Sequence, residues 1–265
     1  MRTYWNMEVE PLLGTDELQG LQFEKARKLV ERLYAAKPFW RERLDRAGAQ
    51  PDKITTLDDF RRRVPVIDKA QRRELAEECE LDMVEVVDRT IGVPLDELVL
   101  MAATSGTTGE PTFYPFTKSD VVWLSECFAR ILWRTGLRPG GRVIHAFGLS
   151  MTLAGVPYVE FIQNYGACVF PVGAEGGAER LLRLARYCRP EMLCATPSLV
   201  EHLIDRCPEI LGEPVGSLGI KRILAAGEPG AGIPALRAKI EDAYGAKLFD
   251  HGAGVGISKI GRAHV

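Results

Sequence analysis

Five short apolar runs recur at roughly 25-residue intervals through the second half of this 265-residue chain. They are Arg142–Phe147, Ala167–Val172, Glu191–Ala195, Lys221–Ala226 and Lys247–Asp250. Helical patterns lie between them, near 155–165, 176–188, 198–207 and 234–244. No other feature constrains the fold as much. A strand, a crossover helix and a second strand form a parallel pair, and the crossover is right-handed. The expected fold is therefore α/β, a mainly parallel sheet flanked by helices. Ligands of such sheets bind beyond the carboxyl ends of the strands.

The front of the chain has a different texture. Residues 1–98 hold 38 of the 70 charged residues but only 4 of the 26 glycines, which suits amphipathic helices better than tight α/β turns. Asp16 to Lys37 reads as a helix whose apolar face is Leu18, Leu21, Leu29, Val30 and Leu33, with Asp16 and Gln19 as a capping box. Pro38 ends it, and a shorter helix through Trp40 and Leu44 runs to Gly48. Leu57-Asp58-Asp59-Phe60 and Asp68-Lys69-Ala70-Gln71 open two more helices, with Val64-Pro65-Val66 extended between them. The expected division is a helical region over 1–98 packing on an α/β core over 99–259. The last six residues, 260–265, read as a non-native tail and are set aside from the fold argument.

Composition narrows the function. A net charge of −2 creates no field that would collect nucleic acid or an anionic membrane. No run approaches the roughly eighteen apolar residues of a membrane-spanning helix. The N-terminus turns acidic at Glu8, before the apolar core of a signal peptide could form. A cytoplasmic protein without nucleic-acid or membrane partners is expected. Six cysteines show no C-x-x-C spacing and no two of the four histidines stand at i, i+4, so no metal ligands are assigned.

One segment carries a chemical signal. The apolar run Leu98–Ala103 leads directly into Thr104-Ser105-Gly106-Thr107-Thr108-Gly109-Glu110-Pro111-Thr112. Its two glycines let backbone N–H groups approach an anion, and its five hydroxyls add donors without fixed charge. That combination suits a phosphate-gripping loop. It is not the P-loop of kinases, because Glu110 stands where a lysine would follow Gly109. A polar hairpin, with Thr112–Phe116 as its return strand, fits the same residues, and composition alone leaves both open.

The stretch resembles the phosphate loop of the AMP-forming adenylating enzymes, the acyl-CoA synthetase superfamily. It is most similar to the phenylacetate–CoA ligase family, whose loop reads Ser-Ser-Gly-Thr-Thr-Gly-Lys-Pro-Thr. Tyr4-Trp5-Asn6, Pro38-Phe39-Trp40-Arg41, Leu57-Asp58-Asp59-Phe60, Ala195-Thr196-Pro197-Ser198 and Ala226-Gly227-Glu228-Pro229 resemble further family segments in the same order. The resemblance implies the large N-terminal domain of such an enzyme, truncated, without the C-terminal lid domain and its catalytic lysine. It implies a ligase joining a small carboxylic acid to CoA through an acyl-adenylate, with ATP, Mg²⁺ and CoA as cofactors or substrates. A homodimer is implied as well.

The same resemblance assigns roles. Thr104, Ser105, Gly106, Thr107, Thr108 and Gly109 would hold the ATP phosphates. Gly227, Glu228 and Pro229, with Asp250, His251 and Gly252, would line the adenine. Phe147 and Gly148, after the first core strand, would border the acyl pocket, where the family carries Ala-Tyr-Gly-Tyr-Gly. Two departures stand out: Glu110 replaces the loop lysine, and Gly256 or a neighbour stands where the family has a glutamate. No residue is assigned as catalytic, because the lid lysine has no counterpart here. The stripe Trp123, Cys127 and Ile131 on the helix opened by Ser119-Asp120 reads as core. Two alternatives stay open: a nucleotide-binding fragment without catalysis, and a dinucleotide-binding oxidoreductase using Gly252-x-Gly254 after a strand.

Overall fold

The structure, a computed structural model, describes residues 3–103 and 113–252. They fall into two compact units: residues 3–101 with 113–123, and residues 102–103 with 124–252. The loop Thr104–Gly109 and the tail 260–265 lie outside the described residues.

The first unit is mainly helical. Helix α1 spans Asp16–Ala36, and its cap is Thr15, one residue earlier than the sequence pattern suggests. The Thr15 hydroxyl accepts the Leu18 N–H at 3.3 Å, while Asp16 instead accepts from the Gln19 amide at 3.4 Å. A hydroxyl at the position with extended backbone satisfies the orphan N–H of the third helical residue, which Asp16, already helical, is not placed to do. Helix α2 (Pro38–Arg46) begins on proline, as a first helical position permits. Helices α3 (Leu57–Arg63) and α4 (Lys69–Glu78) each start with a full capping box, Thr56 with Asp59 and Asp68 with Gln71. A further helix, α5 (Met83–Thr90), is capped by Asp82, whose carboxylate accepts from Val84 and Glu85.

Val30, Leu33, Trp40, Leu44, Ala49, Ile54, Val64 and Ile67 form the core of this unit. Trp40 anchors α2 twice over. Its ring is buried, and its indole N–H donates to the Thr90 carbonyl at 2.7 Å, so the polar edge is satisfied where the ring is dry. Strands β1 (Leu98–Ala103) and β2 (Phe113–Thr117) pair in a two-stranded sheet.

Helix α6 (Lys118–Arg134) carries the chain into the second unit. Its deeply buried stripe is Val121, Ser125, Phe128, Ala129 and Leu132, whereas Trp123, Cys127 and Ile131 are half-buried. The second unit is built on β3 (Arg142–His145), β4 (Cys168–Pro171), β5 (Met192–Ala195), β6 (Arg222–Ala225) and β7 (Lys247–Asp250). All are parallel, in the order β4-β3-β5-β6-β7. The connecting helices are α7 (Val156–Asn164), α8 (Gly177–Cys188), α9 (Pro197–Leu211) and α10 (Pro234–Tyr244).

Strand periodicity explains the core. Ile144, Leu193, Ile223 and Leu248 pack with Leu182 of α8, Leu203 of α9 and Ile240 of α10 in one cluster. The alternate residues Val143, Met192, Cys194 and Leu224 are also buried, so both faces of the sheet are covered. That is why these strands read as continuous apolar runs rather than alternating ones.

Candidate functional site

The strand order sets the site. From β3 the chain moves to β4 on one side and then returns to β5 on the other. In open α/β sheets ligands bind beyond the carboxyl ends of the strands where the order reverses, which in this sheet is between β3 and β5. The sequence-derived residues cluster at that end. Phe147 and Gly148 follow β3, Gly227–Pro229 follow β6, and His251 and Gly252 follow β7. The Ala146 N–H bonds the Cys194 carbonyl, and the His251 N–H bonds the Ala225 carbonyl at 2.8 Å, which carries the ladder one residue past each strand. The loop Thr104–Gly109 is not described, but its last preceding residue is: the Ala103 N–H donates to the Met151 carbonyl at 2.7 Å, within the segment that follows β3.

Two linked groups occupy the strand ends. In the first, Glu228 reaches from the β6 loop to the start of α9, where its carboxylate accepts the Ser198 N–H at 2.6 Å. Thr196 caps the same helix. A carboxylate and a hydroxyl thus share the orphan donors at the positive end of the helix. Gly230 closes this group at φ +155, and a Cβ there would sit 2.7 Å from Pro197 Cβ. Only glycine suits both the angle and the contact.

The second group is aromatic. The rings of Phe128, His145, Phe147, Tyr158, Phe161 and His251 form a chain of contacts with centroids 4.5–6.1 Å apart. Phe147 is 3% exposed, held between His145 and Tyr158. The Tyr158 hydroxyl lies 2.8 Å from His251 Nε2, joining α7 to the end of β7 across 93 positions of sequence. Burial raises the Tyr158 phenol well above its usual range, so it stays protonated and can donate to the imidazole. Burial likewise pushes the Cys194 thiol up to about 12, which leaves it inert at neutral pH.

Both histidines are pushed toward the neutral form. Burial lowers His251, against the opposing charge of Asp250. Burial also lowers His145, whose Nε2 bonds the Ala154 carbonyl at 2.7 Å. A carbonyl can only accept, so Nε2 carries the proton and Nδ1 does not. The native state therefore resists protonation, while an unfolded imidazole takes a proton near pH 6.5. Unfolding stability should fall as pH drops from 7 towards 5, because the unfolded chain then binds more protons. His145→Gln, which keeps an N–H donor but does not titrate, should flatten that decline. Urea midpoints of both chains at pH 7 and pH 5 check this, and equal declines would exclude His145 as a source.

Tyr158 was not legible as a site residue, since its pattern is that of an ordinary helix; only the tertiary contact with His251 marks it. The dinucleotide alternative rests on Gly252, Gly254 and Gly256, of which Gly252 alone is described. Among the described residues no three His, Cys, Asp or Glu side chains gather to hold a metal, and no helix is long and apolar enough to cross a membrane.

No family model matches the chain. It is 30% identical over 244 residues to the phenylacetate-coenzyme A ligase of Thermus thermophilus, an alignment covering 91% of this chain and 52% of that protein. The Escherichia coli phenylacetate-coenzyme A ligase is 28% identical over 247 residues, covering 92% and 53%. The chain spans about half the length of the curated relatives it matches. Among solved structures, 2-hydroxyisobutyryl-CoA ligase in an open conformation, in complex with 2-HIB-AMP and CoA, superposes with a TM-score of 0.84. That match is 28% identical and covers 97% of this chain and 58% of the other. The same ligase in its thioesterification state gives 0.84 at 30% identity. The α/β fold is that of the adenylating CoA ligases.

Proposed function

We propose that this chain, phenylacetate–CoA ligase-like over nine-tenths of its length, supplies the nucleotide- and acyl-binding part of an AMP-forming carboxylate–CoA ligase. In that reaction a carboxylate oxygen attacks the α-phosphorus of ATP, pyrophosphate leaves, and the CoA thiol then displaces AMP from the acyl carbon. The first step brings one anion against another, so aligned donors must offset the repulsion. Thr104–Gly109 would grip the β- and γ-phosphates through hydroxyls and backbone N–H groups. Gly227–Pro229 and Asp250–Gly252 would wall the adenine. Phe147 and Gly148 would border the acyl group, with Tyr158 and His145 behind Phe147.

The observation that carries this reading is positional. Segments far apart in sequence follow β3, β6 and β7 at the carboxyl end of one parallel sheet, the first of them at its switch point. Mg²⁺ would arrive on the ATP phosphates and needs one or two carboxylates from the protein. The resemblance to the family also supports a homodimer.

Equilibrium dialysis with labelled ATP tests the reading, with NADH fluorescence as the control. Saturable ATP binding without NADH binding is expected. Failure to bind ATP, or saturable NADH binding, would overturn it. Pyrophosphate release with a panel of aromatic and short-chain carboxylic acids would then separate a ligase from a binder.

A further inference from the structure

We propose that the helical unit carries a separate site for a phosphoryl group, in a pocket between the end of α2 and the link from α3 to α4. The pocket has a volume of about 200 Å³ and is lined by Arg43, Arg46, Pro65, Val66, Ile67 and Gln71, with no carboxylate in its wall. This proposal stands apart from the nucleotide site and does not depend on it.

Every charged or amide group in that wall presents a donor. The Arg43 guanidinium lies over the Phe39 ring, 4.2 Å from its centroid, which fixes its plane. Its Nε is buried and has no hydrogen-bond partner. A ligand in the pocket would therefore be met by the terminal N–H groups of the guanidinium rather than by Nε. Neither Arg43 nor Arg46 has an ion-pair partner among the described residues. Two acids flank them on α2, Glu42 and Asp45, and Asp45 accepts from the Tyr34 hydroxyl at 2.9 Å. Gln71 uses its oxygen to accept the Asp68 N–H in the α4 capping box, so what it has left to offer is its amide N–H groups.

Two guanidinium forks select the ligand class. One fork satisfies a carboxylate, whereas the three outer oxygens of a phosphoryl group can take donors from two. Pockets for drug-sized ligands run from about 300 Å³ upwards, so this one, at about 200 Å³, suits phosphate or a small monoester. The apolar wall of Pro65, Val66 and Ile67 would lie against the organic part of such an ester.

Isothermal titration of the full chain with inorganic phosphate, and separately with phenyl phosphate, tests the site. The variants are Arg43→Gln, Arg46→Gln, the double change, Arg43→Lys, and Gly106→Val with Gly109→Val. Saturable binding is expected, weakened roughly tenfold by each single arginine change and unaffected by the glycine pair. Arg43→Lys keeps the charge but not the fork, so it should fold and still bind weakly. Tighter binding of phenyl phosphate would identify a monoester as the source, and equal binding would identify free phosphate. Three results would overturn the proposal: no saturation by concentrations on the order of 10 mM, undiminished binding in a folded double-arginine variant, or loss of binding in the glycine variant, which would put the phosphate on the loop instead.

Discussion

A methyl group on Gly155 is expected to lower stability by about 2–3 kcal/mol. The Cβ would lie 2.5 Å from the Ser150 carbonyl oxygen, 2.6 Å from that of Gly148 and 3.2 Å from that of Thr152. These are backbone atoms, so relief requires the whole segment between β3 and α7 to move. That segment is pinned. The Gly155 N–H bonds the Thr152 carbonyl at 2.9 Å, Ala154 holds His145, and Met151 holds Ala103. Urea denaturation of Gly155→Ala should show a lower midpoint with an unchanged slope. An unaltered midpoint would mean the segment yields freely and does not brace the aromatic group.

Changing Gly106 and Gly109 together to valine is expected to weaken ATP binding at least about a hundredfold, equivalent to about 2.7 kcal/mol. A loop that grips phosphate through its N–H groups needs backbone close to the anion, and branched side chains at both glycines block that approach. The strands on either side keep their own pairing, so circular dichroism should be little altered. Calorimetric titration with ATP checks the result. Undiminished affinity would reduce the segment to a connecting hairpin.

Much of this fold is legible in the sequence because the strands are buried on both faces. The pattern predicts β7 to the residue and the other four core strands to within two residues at either end. The order β4-β3-β5-β6-β7 is not legible, since an apolar run does not say which neighbour it will take. Helix α5 escapes notice because Val84, Val86 and Val87 favour strands as isolated residues, and the Asp82 cap and tertiary packing override them. The candidate site is half legible. Glycine-rich turns after strands point to Gly227–Pro229 and Asp250–Gly252. By contrast, the Glu228–Ser198 and Tyr158–His251 bonds join residues 30 and 93 positions apart, and no local spacing encodes them.

The meeting of the β5 and β6 loops has a consequence for anyone wishing to redesign this end of the sheet. Glu228 holds Ser198, Gly230 rests on Pro197, and a Cβ on Gly227 would come within 3.5 Å of the Thr196 methyl. Residues 196–198 and 227–230 are therefore one cassette written in two places. Transplanting either stretch alone from a relative would leave the α9 terminus without its carboxylate or press a foreign side chain against Pro197. A library that exchanges both stretches together should yield folded members far more often than one that varies each independently.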